Sequence, residues 1–295
     1  MGISNSAVLV QLSISTWGTE RLDRGQSDRI NAINNADSKA GKVHKDLMCG
    51  TSLAKDIELY VAKCRLFNNE QTLPWQDRGT RLLPTSMFMQ YKADMNKRET
   101  KFNAMVNKFV PNFEAAKQTA RNYLGAMFNE ADYPRAEDVA SKYRWSLVIS
   151  PIPESGHFCI DVPAKELAEV RLSCDSDVER KLAEAMRKPW EDLHSMLRSM
   201  SERLEEVEIP TERDENGVLI KPKYRRFHDS FVSNAIQLCD LLKHMNVTGD
   251  PKLEEARRRV EIAVRGVDVE DVKESVIVRS QVKSKLDSIL GQFDW

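Results

Sequence analysis

The chain has 295 residues, with 44 Lys plus Arg against 45 Asp plus Glu and a formal net charge of -1. Charged residues make up 30% and hydrophobic ones 41%, the composition of a water-soluble chain long enough for two domains or one extended one. No apolar run approaches the ~20 residues that span a bilayer, so no membrane segment is expected, and near-zero net charge argues against wholesale polyanion binding while leaving local basic patches open.

The run Ala7–Val10 has no basic stretch before it, so a secretory signal is not expected. Cys49, Cys64, Cys159, Cys174 and Cys239 are odd in number and widely spaced. They read as reduced thiols of a cytoplasmic protein rather than a disulfide framework.

In chain order, Val8, Leu9, Val10, Leu12 and Ile14 predict a strand ended by Trp17–Gly18. Residues 26–46 predict a weakly amphipathic helix. Thr51 or Ser52 can cap the next one, striped by Leu53, Ile57, Tyr60, Val61 and Cys64. Two prolines and a glycine in 72–84 forbid a regular helix there. A long helix follows from Thr85 or Ser86 to Pro111, then a further one ending near Gly125. Alternation of Trp145, Leu147 and Ile149, and again of Phe158, Ile160 and Val162, predicts a β-hairpin at about 143–162.

From Ala164 to about Val207, apolar residues recur every three or four positions. A continuous helix of that length spans ~60 Å and suggests a coiled-coil-like arm. Pro189 must kink it or begin a second helix. Asn216–Gly217 predicts a β-tip near 208–220, after which Phe227 to Leu242 returns as a helix. Residues 252–264 and 268–290 read as two last helices, the second weakened by Val269, Val272, Val276 and Ile277. The expected fold is therefore mainly α: a helical bundle with a long antiparallel arm and two short hairpins. Its expected division is 1–163, 164–247 and 248–295.

No catalytic, cofactor-binding or metal-ligating set is expected from the sequence. No phosphate-binding glycine loop or nucleophile elbow occurs. The five histidines form no close pair, and His157 with Cys159 supplies two ligands where a zinc site needs more. Glu130, Asp132, Glu137 and Asp138 cluster near Tyr133–Pro134. They fit a solvated turn with acids at a helix N-terminus, or the carboxylates of a metal-dependent nuclease.

Three further segments carry candidate contacts. Residues 92–121 hold seven basic and three acidic residues among aromatics. With Lys221, Lys223, Arg225 and Arg226 beside Tyr224, they suggest single-strand nucleic-acid contacts through Lys92, Lys97, Arg98 and Lys101. Ion pairs along helix faces are the plainer account. Trp75, Asp77, Arg78 and Arg81 form an interaction loop or a structural staple. Phe293, Asp294 and Trp295 form a tail that docks into a partner or folds back on the core.

The stretch Thr72–Pro84 resembles the signature of an uncharacterised family of bacteriophages and conjugative elements, a domain of unknown function. Leu124–Pro134 is similar to that family's second motif, Pro151–Asp161 to its third, and Val10–Trp17 to its opening. The resemblance covers roughly residues 7 to 245. It implies a mobile-element origin and a bacterial cytoplasmic setting, and it carries no catalytic residue across. Relatives lie near genes for MoxR-type AAA ATPases and von Willebrand A-type proteins, which makes such an ATPase a candidate partner.

The expected function is a non-enzymatic accessory protein that assembles into a homo-oligomer and binds host or element proteins. Its role would be that of a scaffold or adaptor, or one in host takeover or anti-defence. A nucleic-acid-binding accessory in phage replication or recombination is the second reading, and a metal-dependent nuclease the third.

Overall fold

The computed structural model describes residues 3–76, 79–157, 163–205 and 230–293, without the side chains of residues 273 and 274. The elements run β1 (Ala7–Ser15), β2 (Glu20–Asp23), α1 (Arg24–Ile33), β3 (Val43–Asp46), α2 (Leu53–Glu70), β4 (Leu73–Pro74) and β5 (Thr80–Pro84). Then come α3 (Phe88–Phe109), α4 (Phe113–Leu124), α5 (Ala136–Val139) and β6 (Arg144–Ser150). The chain ends with α6 (Ala164–Leu204), α7 (Ser230–Met245), α8 (Pro251–Val264), α9 (Val269–Glu274) and α10 (Val276–Leu290). The protein is mainly α, with short antiparallel strand pairs β2–β3 and β4–β5 and a four-stranded order β4-β5-β1-β6.

Two compact units interleave along the chain. One comprises residues 1–9, 71–87 and 150–295, the other residues 10–70 and 88–149, and β1 contributes to both. The expected division into three consecutive segments does not have this interleaving.

In the second unit, α2 and α3 run antiparallel. Buried Tyr91 donates its hydroxyl hydrogen bond to Asn68 Oδ1 at 2.6 Å. Ile57, Val61 and Cys64 of α2 meet Phe102, Val106 and Phe109 of α3 in one core. Phe109 sits edge-on to Phe113 at 6.0 Å and to Tyr143 at 5.8 Å, a favourable arrangement of ring quadrupoles.

The helix expected over 26–46 ends instead at Ile33, and residues 43–46 form β3, paired with β2 in register Glu20↔Asp46 to Asp23↔Val43. Asn35 adopts φ 50°, a conformation asparagine tolerates better than most residues. Buried Asn31 then donates to the carbonyls of Ser38 and Gly41, both at 3.1 Å. A Cβ at Gly41 would lie 2.7 Å from Asn31 Oδ1, so a side chain there would have to displace the Asn31 amide.

In the first unit, α6 packs chiefly on α10, with α7 and α8 also against it. Leu193, Leu197, Met200 and Leu204 of α6 are buried with Ala235, Cys239 and Leu242 of α7, Leu253 and Val260 of α8, and Leu286 and Ile289 of α10. Ser201 of α6 donates to Asp287 of α10, which also accepts from Lys283. Arg257, 5% exposed, is held by Glu254 and Glu261, each at 2.7 Å.

α6 is assigned as one helix of 41 residues, ~62 Å long, with Pro189 buried inside it. Proline therefore does not begin a second helix. An antiparallel coiled-coil arm is not shown, because residues 206–229, including the expected β-tip, lie outside the described residues.

Of the hairpin expected at 143–162, the first strand is present as β6 (Arg144–Ser150), while its expected second strand falls outside the described residues. β6 neighbours β1, residues 155–157 form a 3-10 turn, and 158–162 lie outside the described residues. The helix expected over 268–290 is two, α9 and α10. Ser275 Oγ caps α10 by accepting from Val278 N–H at 3.3 Å, and β-branched residues flank the break.

Candidate functional site

One candidate groove lies in the first unit, beside the proline-rich hairpin. Leu73 pairs with Leu82 and Pro74 with Arg81. Gly79, at φ 84°, reverses the chain in a conformation glycine adopts without strain. Arg81 closes the open end as a fork: Nε donates to Thr72 Oγ1 at 2.5 Å and Nη2 to the Thr72 carbonyl at 2.7 Å. Trp75 is 5% exposed within the unit's core.

Trp75, Gln76 and Thr80 form one wall of a groove of about 640 Å³. The other wall is the first half of α6. Val170, Ser173, Cys174, Asp177, Val178 and Lys181 line it at the three- and four-residue spacing that puts side chains on one helix face. Lys181 Nζ lies 2.6 Å from Asp177. That lysine, together with Arg180, holds the Asp177 carboxyl below the usual carboxylate range. The result is an apolar slot with an indole wall, edged by an ion pair. It suits an apolar side chain of a partner; its one acid is already paired, and no histidine lines it.

The structure gives the loop residues distinct places. Trp75 faces the core and groove, Arg81 clamps the hairpin through Thr72, and Asp77 and Arg78 lie outside the described residues. On α3, Lys92 is exposed and Lys97 lies 3.7 Å from Asp94. The Arg98 guanidinium sits 3.8 Å from the Phe67 ring centroid, and the Lys101 ammonium 4.9 Å from that of Tyr60. Lys117 lies 2.8 Å from both Glu114 and Glu130. Arg121 lies over Phe128 at 5.1 Å. Most cations of 92–121 thus engage rings or acids of their own chain, and those ring faces are occupied by cations rather than open to bases. Lys221, Lys223, Arg225 and Arg226 lie outside the described residues.

The acidic cluster is similarly engaged. Asp132 meets Lys45 at 2.7 Å and Arg21 at 3.6 Å, and Arg135 meets Glu137 at 2.9 Å and Asp138 at 2.8 Å. Lys45 is 6% exposed at its side chain and donates also to the Met127 carbonyl at 2.8 Å. Neighbouring Tyr133 donates its hydroxyl to the Leu47 carbonyl at 2.9 Å, and burial pushes the phenol up to about 12. Among the described residues no three His, Cys, Asp or Glu converge as a metal site. Cys159, which with His157 gives too few ligands for a zinc site, lies outside them.

At the C-terminus, half-buried Phe293 stacks at a tilt on Trp190 at 6.0 Å, while Asp294 and Trp295 lie outside the described residues. Sequence reasoning missed the burial of four cations, Lys45, Lys117, Arg257 and Arg279. For Arg257 the signal was present, as Glu254 and Glu261 stand at i−3 and i+4. For Lys45 it was not, because its nearest acid is 87 positions away in Asp132 and its second, Asp23, reaches it only through the β2–β3 pairing.

Comparison of the chain with family models, with curated proteins and with solved structures returns no match.

Proposed function

We propose that this protein is a non-enzymatic accessory protein that self-assembles and binds other proteins as a scaffold or adaptor. One observation carries the reading. The first half of α6, residues 164–184, has no fully buried side chain, although its apolar stripe continues the one buried in the second half. Leu167, Val170, Cys174, Val178 and Leu182 are half-buried, and Leu172 is 70% exposed. That leaves ~31 Å of amphipathic helix bordering an apolar groove, a surface suited to another polypeptide. The paired acids at Glu130 and Asp132 count against a metal-dependent nuclease, and the ring-bound cations of α3 count against the nucleic-acid reading. The mobile-element setting rests on the sequence resemblance.

Light-scattering mass on a sizing column, with and without single-stranded DNA at low and moderate salt, tests this. The expected outcome is a species above the 33.7 kDa chain mass that ignores DNA. A monomer at every concentration removes self-assembly. A salt-sensitive shift with DNA puts the nucleic-acid reading first.

A further inference from the structure

The first unit carries a second groove, away from the proline-rich hairpin, and its charge complements another face of the same unit. It lies between α8 and α10, with a volume of about 460 Å³. Ala263 and buried Ile289 belong to its lining, and Ile262 stands on its edge 74% exposed. Lys285 lines the α10 side. Arg258 stands one turn from Ile262 on the same stripe of α8. Arg259, at the end of the groove, is already tied to Glu255 and Gln292. Arg258 and Lys285 are exposed and belong to no ion pair among the described residues. Many cations of α6, α7 and α8, among them Arg180, Lys188, Arg198, Lys243 and Arg257, do have acidic partners, as does Arg265 just past α8.

The opposite sign is found on the outer face of α6. Leu172 is exposed there, with Asp175 one turn on and Glu179 one turn beyond that. Neither acid belongs to an ion pair among the described residues. One face is thus an apolar residue followed by two unpaired anions. The other is an apolar residue beside a groove, with one unpaired cation, Arg258, a turn away on α8 and a second, Lys285, on α10.

We infer that the α8–α10 groove receives the Leu172–Asp175–Glu179 face of α6 from a second copy of this chain. The inference rests on the self-assembly reading above and gives it a surface. Two different patches meet, so the contact is heterologous: each copy offers a groove and a face, and copies add head to tail into a ring or an open chain. A contact of this size is modest, so assembly follows concentration, and exposed charges make it weaken with salt.

Charge reversal with mixing tests it. One variant carries Arg258→Glu and Lys285→Glu, the other Asp175→Lys and Glu179→Lys. All four positions are exposed, and circular dichroism checks that both variants keep the native fold. Sedimentation of the unmodified chain is expected to show mass rising with concentration above 33.7 kDa and falling back with salt. Each variant alone stays at the monomer mass, because its groove and face then have like charge. An equal mixture of the two regains assembly, since each supplies what the other has inverted. If the unmodified chain assembles and the variants assemble equally well alone, this interface is wrong while self-assembly stands. If the unmodified chain is monomeric throughout, both fall together.

Discussion

The two halves of α6 have the same kind of sequence and different surroundings. Residues 185–204 bury Ala185, Met186, Leu193, Leu197, Met200 and Leu204, whereas residues 164–184 bury none of their stripe completely. Hydrophobic periodicity therefore reports which face of a helix is apolar, and a separate fact, the presence of α7, α8 and α10, decides whether that face is closed. The largest expected effects follow from this contrast. Leu193→Ala or Leu197→Ala removes a fully buried side chain and costs about 2–5 kcal/mol. Leu172→Ala, on the exposed half, should stay within about 0.5 kcal/mol. Urea denaturation midpoints check both, and an equal cost at Leu172 would mean the first half is covered after all.

The next effect concerns the charge that closes the buried half's surroundings. Arg257→Leu leaves Glu254 and Glu261 without their shared cation and should cost about 2 kcal/mol. That is below the usual figure for a broken buried pair, because Glu254 keeps much of its solvent. Hydrogen bonding to Arg257 holds both carboxyls below their ordinary value of 4.5. A depressed folded value means the stabilisation is complete above about pH 4.5 and is lost as pH falls through the folded value. Thermal unfolding of the native chain should therefore drop on the acid side, and the drop should be shallower in Arg257→Leu.

Much of the α architecture was legible because long helices repeat their signal many times. The stripe from Leu167 to Leu204 fixes α6, and Pro111 and Gly125 mark the ends of α3 and α4 as expected. Continuity through Pro189 was not legible, since proline forbids one hydrogen bond and tertiary burial can offset that loss. β2 and β3 were missed because Glu20–Asp23 and Val43–Asp46 are four-residue polar strands with no alternation to read. The candidate groove was half legible. Its helical wall is the predicted stripe, but nothing local in 72–84 says that Trp75 and Thr80 face Cys174. Such a match between distant segments is set by folding of the whole unit rather than by either segment.

The smallest effect leaves stability untouched and reads exposure alone. Cys174 is half-buried in the groove wall, whereas Cys239 is fully buried in the core beside the second half of α6. Burial pushes the Cys239 thiol up to about 11, so at pH 8 little thiolate forms there even where a reagent reaches it. In the native protein a water-soluble disulfide reagent should count one fewer reactive thiol in Cys174→Ser and the same number in Cys239→Ser. In denaturant both variants should lose one. Equal native reactivity of the two thiols would require the core around Cys239 to open on the timescale of labelling. Cooperative burial against α8 opposes that, because exposing Cys239 means separating it from the Arg257 carbonyl it contacts and from the ion pairs beyond.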